Sequence, residues 1–330
     1  MDIHYLPRLG TVAAACLLLA ACGGSSSNET GKLSLSITDA PIYDAQSVTV
    51  NFTGVEVKPA SGPALRFNFC EAPLTDPHPN SPIVQQGECT DSYPSMQTID
   101  LLKQTAGASF LLLDRVDLPA GRVNWVRLVL TDPAGSIVLS TGKHPLTLTV
   151  PSGNQTGLKL NRGFDVPAGG EAHVYIDFDV RKSIVEMHSG MATSYKLKPT
   201  LRMVEDYFGA IAGNVDSGLL PATCLGPSIY VFAGDGATPD DIDRDLGDPI
   251  SSAAVVLDNG SGVYSYRADF LLPGDYTAAF VCADGVSPDG GTTFTESADE
   301  PDRDDTLSFT LAVPTSTATV VDDQTVEIDF

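Results

Sequence analysis

From residue 32 onward, apolar and polar positions alternate with period two along most of the chain. Leu33, Leu35 and Ile37 alternate with Lys32, Ser34 and Ser36, and Val48, Val50 and Phe52 with Thr49 and Asn51. Val126, Leu128 and Leu130 keep the same rhythm, as do Val174, Ile176 and Phe178 against Tyr175, Asp177 and Asp179. A two-residue period places one face inward and one outward, so these segments read as half-buried antiparallel strands. Turn residues punctuate them: Leu118-Pro119-Ala120-Gly121, Val166-Pro167-Ala168-Gly169 and Leu272-Pro273-Gly274-Asp275 each precede a strand. Proline pre-sets φ there and glycine supplies the positive φ of a tight turn. A helical turn or two fits only residues 99–114, around Leu101-Leu102-Lys103. The predicted class is all-β, with two β-sandwich domains.

Later strands are expected at 229–232, 253–257, 263–270, 276–282, 307–313 and 326–330. In the fourth, Tyr276, Ala278, Phe280 and Cys282 share a face, which turns Cys282 toward the core. Charge divides the chain near residues 206–208. From residue 207 on there are 22 acidic and 3 basic side chains, against 19 and 15 over residues 22–206. Most of the formal charge of −23 therefore belongs to the second half, and the expected domains are 31–206 and 207–330. So acidic a chain lacks the basic footprint that a nucleic-acid backbone requires. With 42% hydrophobic residues it still has the material for packed cores.

The N-terminus is read as an address. Residues 9–21 form a 13-residue apolar run after Arg8, about 20 Å as a helix and too short for a ~30 Å hydrocarbon layer. It reads as a secretory signal, residues 1–21. Its end, Leu19-Ala20-Ala21-Cys22, resembles the lipobox of bacterial lipoproteins, which implies cleavage before Cys22 and acylation of that cysteine. By the same resemblance, Gly23 after the cysteine implies an outer-membrane lipoprotein, periplasmic or surface-facing. Palmitate-type chains stabilise membrane attachment by about 0.8 kcal/mol per buried methylene. The Gly/Ser-rich stretch to residue 30 reads as a flexible tether.

Removing Cys16 with the signal and acylating Cys22 leaves Cys70, Cys89, Cys224 and Cys282. With no C-x-x-C pair, zinc-ribbon or thioredoxin chemistry is not indicated. An even count in an oxidising compartment points to two disulfides. Of the three pairings, the local one, Cys70–Cys89 and Cys224–Cys282, is expected; four buried thiols are the alternative.

Several motifs in order resemble one bacterial lipoprotein family. They include Leu33-Ser34-Leu35-Ser36-Ile37-Thr38-Asp39-Ala40-Pro41, Val48-Thr49-Val50 through Gly54-Val55-Glu56-Val57, Asp177-Phe178-Asp179-Val180-Arg181-Lys182-Ser183 and Leu197-Lys198-Pro199-Thr200-Leu201-Arg202. Residues 31–206 are thereby identified as similar to the domain-of-unknown-function family 4382, with the proline-rich Cys70–Cys89 segment as an insertion. The second half resembles the prealbumin-like β modules that follow such domains, through Leu272-Pro273-Gly274-Asp275-Tyr276-Thr277. The resemblance implies fold and address, not chemistry.

Candidate chemistry is sparse. There is no G-x-S-x-G, and His78, His144, His173 and His188 show no metal or nucleophile spacing. Asp177 and Asp179 share a strand face and read as a wet face paired with Arg181 and Lys182, with a general acid/base pair as the alternative. Asp241, Asp243 and Asp245 alternate as the first carboxylates around calcium do, and with Asp248 form a candidate ligand set, without the glycine and closing glutamate of an EF-hand loop. A second acidic cluster, residues 299–305, lies downstream. Tyr264, Tyr266 and Tyr276, with Trp125, are the aromatic candidates for sugar stacking, though alternation places Tyr264 and Tyr266 beside Phe270 on one core face.

The expectation is a lipid-anchored binding or structural module of the cell envelope, not an enzyme and without cofactor. Its partner would be an envelope protein or extracellular ligand. The alternatives are a calcium-dependent adhesion or carbohydrate-binding surface protein, and a carboxylate-pair hydrolase of an envelope polymer.

Overall fold

The computed structural model describes residues 29–330, apart from 41–44, 72–81, 91, 106, 140–143, 151–156, 190–191, 199, 206–207, 221, 223, 241–246, 287–292 and 296–314. The expected signal, Cys22, His78, the strand at 307–313, the carboxylates of residues 241–245 and the cluster at 299–305 lie outside the described residues. Among the described residues no helix is long and apolar enough to cross a membrane. The chain is all-β, built as sandwiches around two separate hydrophobic clusters.

In the first sandwich, one sheet runs in the order Thr200–Glu205, Glu171–Asp179, Thr30–Ala40, Phe110–Pro119. The facing sheet is organised by the long strands Ala45–Pro59 and Gly121–Leu139, which pair antiparallel over most of their length. Inward positions of the alternation, such as Leu33, Leu35, Ile37, Val174, Ile176 and Phe178, meet Val50, Phe52, Val126 and Leu128 in one dry cluster. The bulged strand Ala45–Pro59 admits its neighbour closely at Gly54, where a methyl group would sit 2.3 Å from the Phe67 carbonyl oxygen. Leu101–Lys103 forms one 3-10 turn.

The second sandwich packs the sheet Val256–Asp258, Val263–Leu271, Gly209–Val215, Thr325–Glu327 against a sheet centred on Cys224–Ala233 and Gly274–Val286. Ile211, Ile229, Val231, Tyr266, Ala278 and Phe280 fill its core. The Leu272-Pro273-Gly274-Asp275 turn is closed by the Tyr276 hydroxyl donating to the Leu272 carbonyl at 2.6 Å. Cys224 and Cys282 form a disulfide between the two central strands, and Cys70 and Cys89 form another in the first sandwich.

Three pairings depart from the antiparallel expectation. Thr30–Ala40 runs parallel to Glu171–Asp179, Ala192–Leu197 to Leu146–Thr149, and Gly209–Val215 to Thr325–Glu327. Alternation encodes which face is buried, not the direction of a partner, and these partners lie far apart in sequence.

Candidate functional site: the junction of the two sandwiches

Even-numbered residues of Glu171–Asp179 enter the first core, so His173, Tyr175 and Asp177 face the other way. The second sandwich covers part of that face. The rings of Tyr175, Phe208 and Phe270 meet there at centroid separations of 4.8–5.2 Å. Phe208 belongs to the three residues that join Thr200–Glu205 to Gly209–Val215. Phe270 corrects the alternation argument. Its φ is +59°, beside a register shift where Ile211 faces Ala268 and Gly209 faces Leu271. The bulge carries Leu271 into the second core and turns Phe270 out to the first sandwich, away from Tyr266.

Asp177, 7% exposed, accepts from both Nε and a terminal nitrogen of Arg202 at 3.1 and 2.6 Å. Arg202 is its cross-strand neighbour. Asp179 instead caps the short helix Val180–Ser183, accepting from the Lys182 amide at 3.2 Å. The expected Asp177/Asp179 pair with Arg181 and Lys182 is thus divided: the partner of Asp177 comes from the adjacent strand, invisible to a reading along one strand. Lys182 reaches across to the second sandwich, 2.7 Å from both the Asp248 carboxylate and the Pro249 carbonyl. Both side chains of that ion pair are about nine-tenths buried, at 11% and 10% exposure. Of the four candidate calcium ligands, Asp248 is therefore engaged by a lysine ammonium.

Between the sandwiches lies a cavity of about 50 Å³, lined by Thr38, Asp39, Asp177, Ser252, Arg267 and Asp269 among others. That is room for a few waters, not a substrate. Thr38 donates its hydroxyl to the Gln104 and Ala108 carbonyls at 2.8 and 3.0 Å, and Asp39 accepts from the Val180 amide at 3.1 Å. Gly107 approaches Asp269 so closely that a methyl group would lie 2.9 Å from its Oδ2. Burial pushes the Asp269 carboxyl above its ordinary range, against the pull of Arg267 at 2.8 Å.

A second, open groove of about 300 Å³ runs beside Tyr175 over Ser34, Ser36, Leu111, Arg115, Glu171 and His173. The Ser34 hydroxyl donates to Glu171 at 2.7 Å, Arg115 pairs with the other carboxylate oxygen, and His173 Nε2 stands 3.4 Å away. The Ser34 hydrogen bond, with Arg115 and His173, holds the Glu171 carboxyl below its usual value despite partial burial. The carboxylate sits between hydroxyl and imidazole, whereas the imidazole is the middle member of a serine–histidine–carboxylate relay, so His173 is not the group that accepts from Ser34. Arg115 has φ +49° at a bulge of the edge strand Phe110–Pro119, a device that blunts edge pairing.

His144 is exposed, and His188 lies in the strand Ile184–Ser189. Tyr266 and Tyr276 are buried in the second core, while Trp125 lies on the first sandwich. Those aromatics share no surface. Among the described residues no group of three or more His, Cys, Asp or Glu is placed to hold a metal ion.

No curated protein matches the chain. Among solved structures it is similar to the TIE protein of Bacillus anthracis (11% identity, TM-score 0.19), covering 92% of this chain and 33% of that one. It thus spans about a third of that protein. It is also similar to GBS52, the minor pilin of Streptococcus agalactiae (13%, 0.18, 90% and 94%), and to BcpA, the major pilin subunit of Bacillus cereus (10%, 0.18, 92% and 99%). At such TM-scores these likenesses decide nothing about function. The family comparison is firmer: residues 30–199, just over half the chain, match the domain of unknown function DUF4382, and the chain belongs to that family.

Proposed function

We propose that the chain is a non-catalytic structural or binding module of the cell envelope. In this reading residues 1–21 are a cleaved signal, Cys22 carries the lipid, and residues up to 30 tether the sandwiches of 31–206 and 207–330 to the outer membrane. The observation that carries it is the junction. Two sandwiches meet through an aromatic cluster and a buried ion pair, across a three-residue connection, with a water-sized cavity of about 50 Å³ among the described residues between them. Such an object presents outer surfaces at a set relative orientation. Two disulfides fit an oxidising, extracytoplasmic compartment.

Metabolic labelling with palmitate should mark the protein and fail to mark a Cys22→Ala variant. Equal labelling of both would remove the anchor. Proteinase treatment of intact cells, compared with lysed cells, then separates a surface-facing module from a periplasmic one.

A further inference from the structure

The outer face of the large sheet in the first sandwich carries one rung of charged side chains across four adjacent strands. Lys159 lies opposite Arg127, Arg127 opposite Glu56, and Glu56 opposite Arg66. Three inter-strand steps give it a length of roughly 14 Å. Glu56 serves both arginines, at 3.0 Å from Arg127 and 3.3 Å from Arg66. Lys159 has no carboxylate partner among the described residues; its ammonium lies 4.6 Å from the Trp125 ring centroid, and the Arg127 guanidinium 5.0 Å from the same ring. Directly opposed like charges destabilise a sheet, yet here an indole holds two cations together by cation–π attraction. The rung carries a net charge of +2 on a chain whose formal charge is −23.

At its Arg66 end the rung opens into a groove of about 690 Å³, within the range of ligand sites. Thr53, Asn68, Glu88 and Ser95 give it hydroxyl, amide and carboxylate groups, and Pro94 and half-exposed Met96 an apolar wall. Alternating polar and apolar lining suits a polyol with apolar ring faces, and the cations suit acidic substituents on it.

We infer that this rung and groove bind an acidic oligosaccharide, whose carboxylate or sulfate groups lie over Lys159, Arg127 and Arg66 while its ring occupies the groove. The inference rests on the binding-module reading and names its ligand class. Among the described residues no carboxylate meets Lys159, so an anion from outside the chain would complete the row there.

The test is calorimetric titration of the full chain in detergent with a sulfated oligosaccharide, an oligogalacturonate and a neutral oligoglucan of equal length. An acidic oligosaccharide should bind saturably and more weakly as salt rises, and the neutral one should not. Lys159→Glu, on an exposed side chain, should weaken binding at least about tenfold, and Arg66→Gln should weaken it independently, with melting not lowered for Lys159→Glu. Sulfated against uronate probes then separate the two sources of negative charge. Equal affinity for the neutral chain, binding untouched by both variants, or no binding at all would overturn the assignment. So would salt-sensitive self-association abolished by Lys159→Glu, which would give the face to the acidic sandwich of a second copy. All are read in solution, so they can fail while the palmitate and proteinase results stand.

Discussion

The two sandwiches handle charge differently. In the first, carboxylates meet cations from other strands: Glu56 between two arginines and Asp177 with Arg202 on adjacent strands, and Glu171 with Arg115 across the intervening strand Thr30–Ala40. The second has 22 acidic and 3 basic side chains over residues 207–330. At the junction it has one local solution, Arg267 beside Asp269, and one imported solution, Lys182 of the first sandwich beside Asp248. A domain so poor in cations meets Asp269 with its own Arg267 but takes the ammonium beside Asp248 from the other sandwich. It relies on its neighbour there and on a covalent staple within.

The staple gives the largest expected effect. On the chain-entropy account, replacing Cys224 and Cys282 by serine should cost about 4 kcal/mol, and replacing Cys70 and Cys89 about 3 kcal/mol, because the first loop is longer. Denaturant unfolding should also assign the losses to different places. Cys224–Cys282 joins central strands of the smaller core, so that sandwich should unfold first. Equal loss of both sandwiches in either variant would erase the distinction.

Lys182→Ala comes next. It would leave Asp248 buried without its ammonium, and the cost should be about 3 kcal/mol, the low end for a broken buried pair since both side chains keep slight exposure. Calorimetry should show the second sandwich melting separately from the first. Lys182→Met combined with Asp248→Leu should regain most of the loss, because both buried charges are removed together. If the double variant is as unstable as the single one, the imported cation is not what couples the two.

Phe270→Ala should cost about 3 kcal/mol, the bottom of the range for truncating buried aromatics, since the junction can partly close over the gap. Its signature is again loss of coupling in calorimetry, not loss of the second core. Truncating Tyr266, which does sit in that core and donates to the Ile328 carbonyl at 2.8 Å, should lower the second transition itself.

Why Phe270 had to be seen and not inferred shows where legibility ends. Period two located the strands at Leu33 to Ile37, Val174 to Phe178 and Tyr276 to Cys282, and their inward faces agree with the two cores. The turn at Leu272-Pro273 and the helical turn at Leu101 were also readable, since both rest on local chemistry. The junction was not. It depends on a bulge that shifts the phase of one strand at Ala268, on a cross-strand register that brings Arg202 to Asp177, and on Lys182 crossing to another domain. None of these leaves a mark within a short window of sequence. The odd face of Glu171–Asp179 looked wet because alternation distinguishes core from not-core, and cannot distinguish solvent from a second domain.

The smallest effects concern pH, and they have opposite signs in the two sandwiches. The Glu171 carboxyl is held low in the folded state, so its contribution is present above the ordinary value of 4.5 and is lost as pH falls through the lowered one. The Asp269 carboxyl is raised by burial, so the folded state holds its proton more tightly than the unfolded chain. That contribution is complete below 3.8 and is lost as pH rises through the raised value. Glu171→Gln should therefore lower melting temperature slightly at neutral pH and converge on the parent in acid. Asp269→Asn should be level with or above the parent at neutral pH and lose any advantage in acid. Melting curves taken across the acidic range decide it. Parallel pH profiles for the two variants would mean that both carboxylates are effectively solvated, and that the cation-poor sandwich bears no burial penalty at the junction.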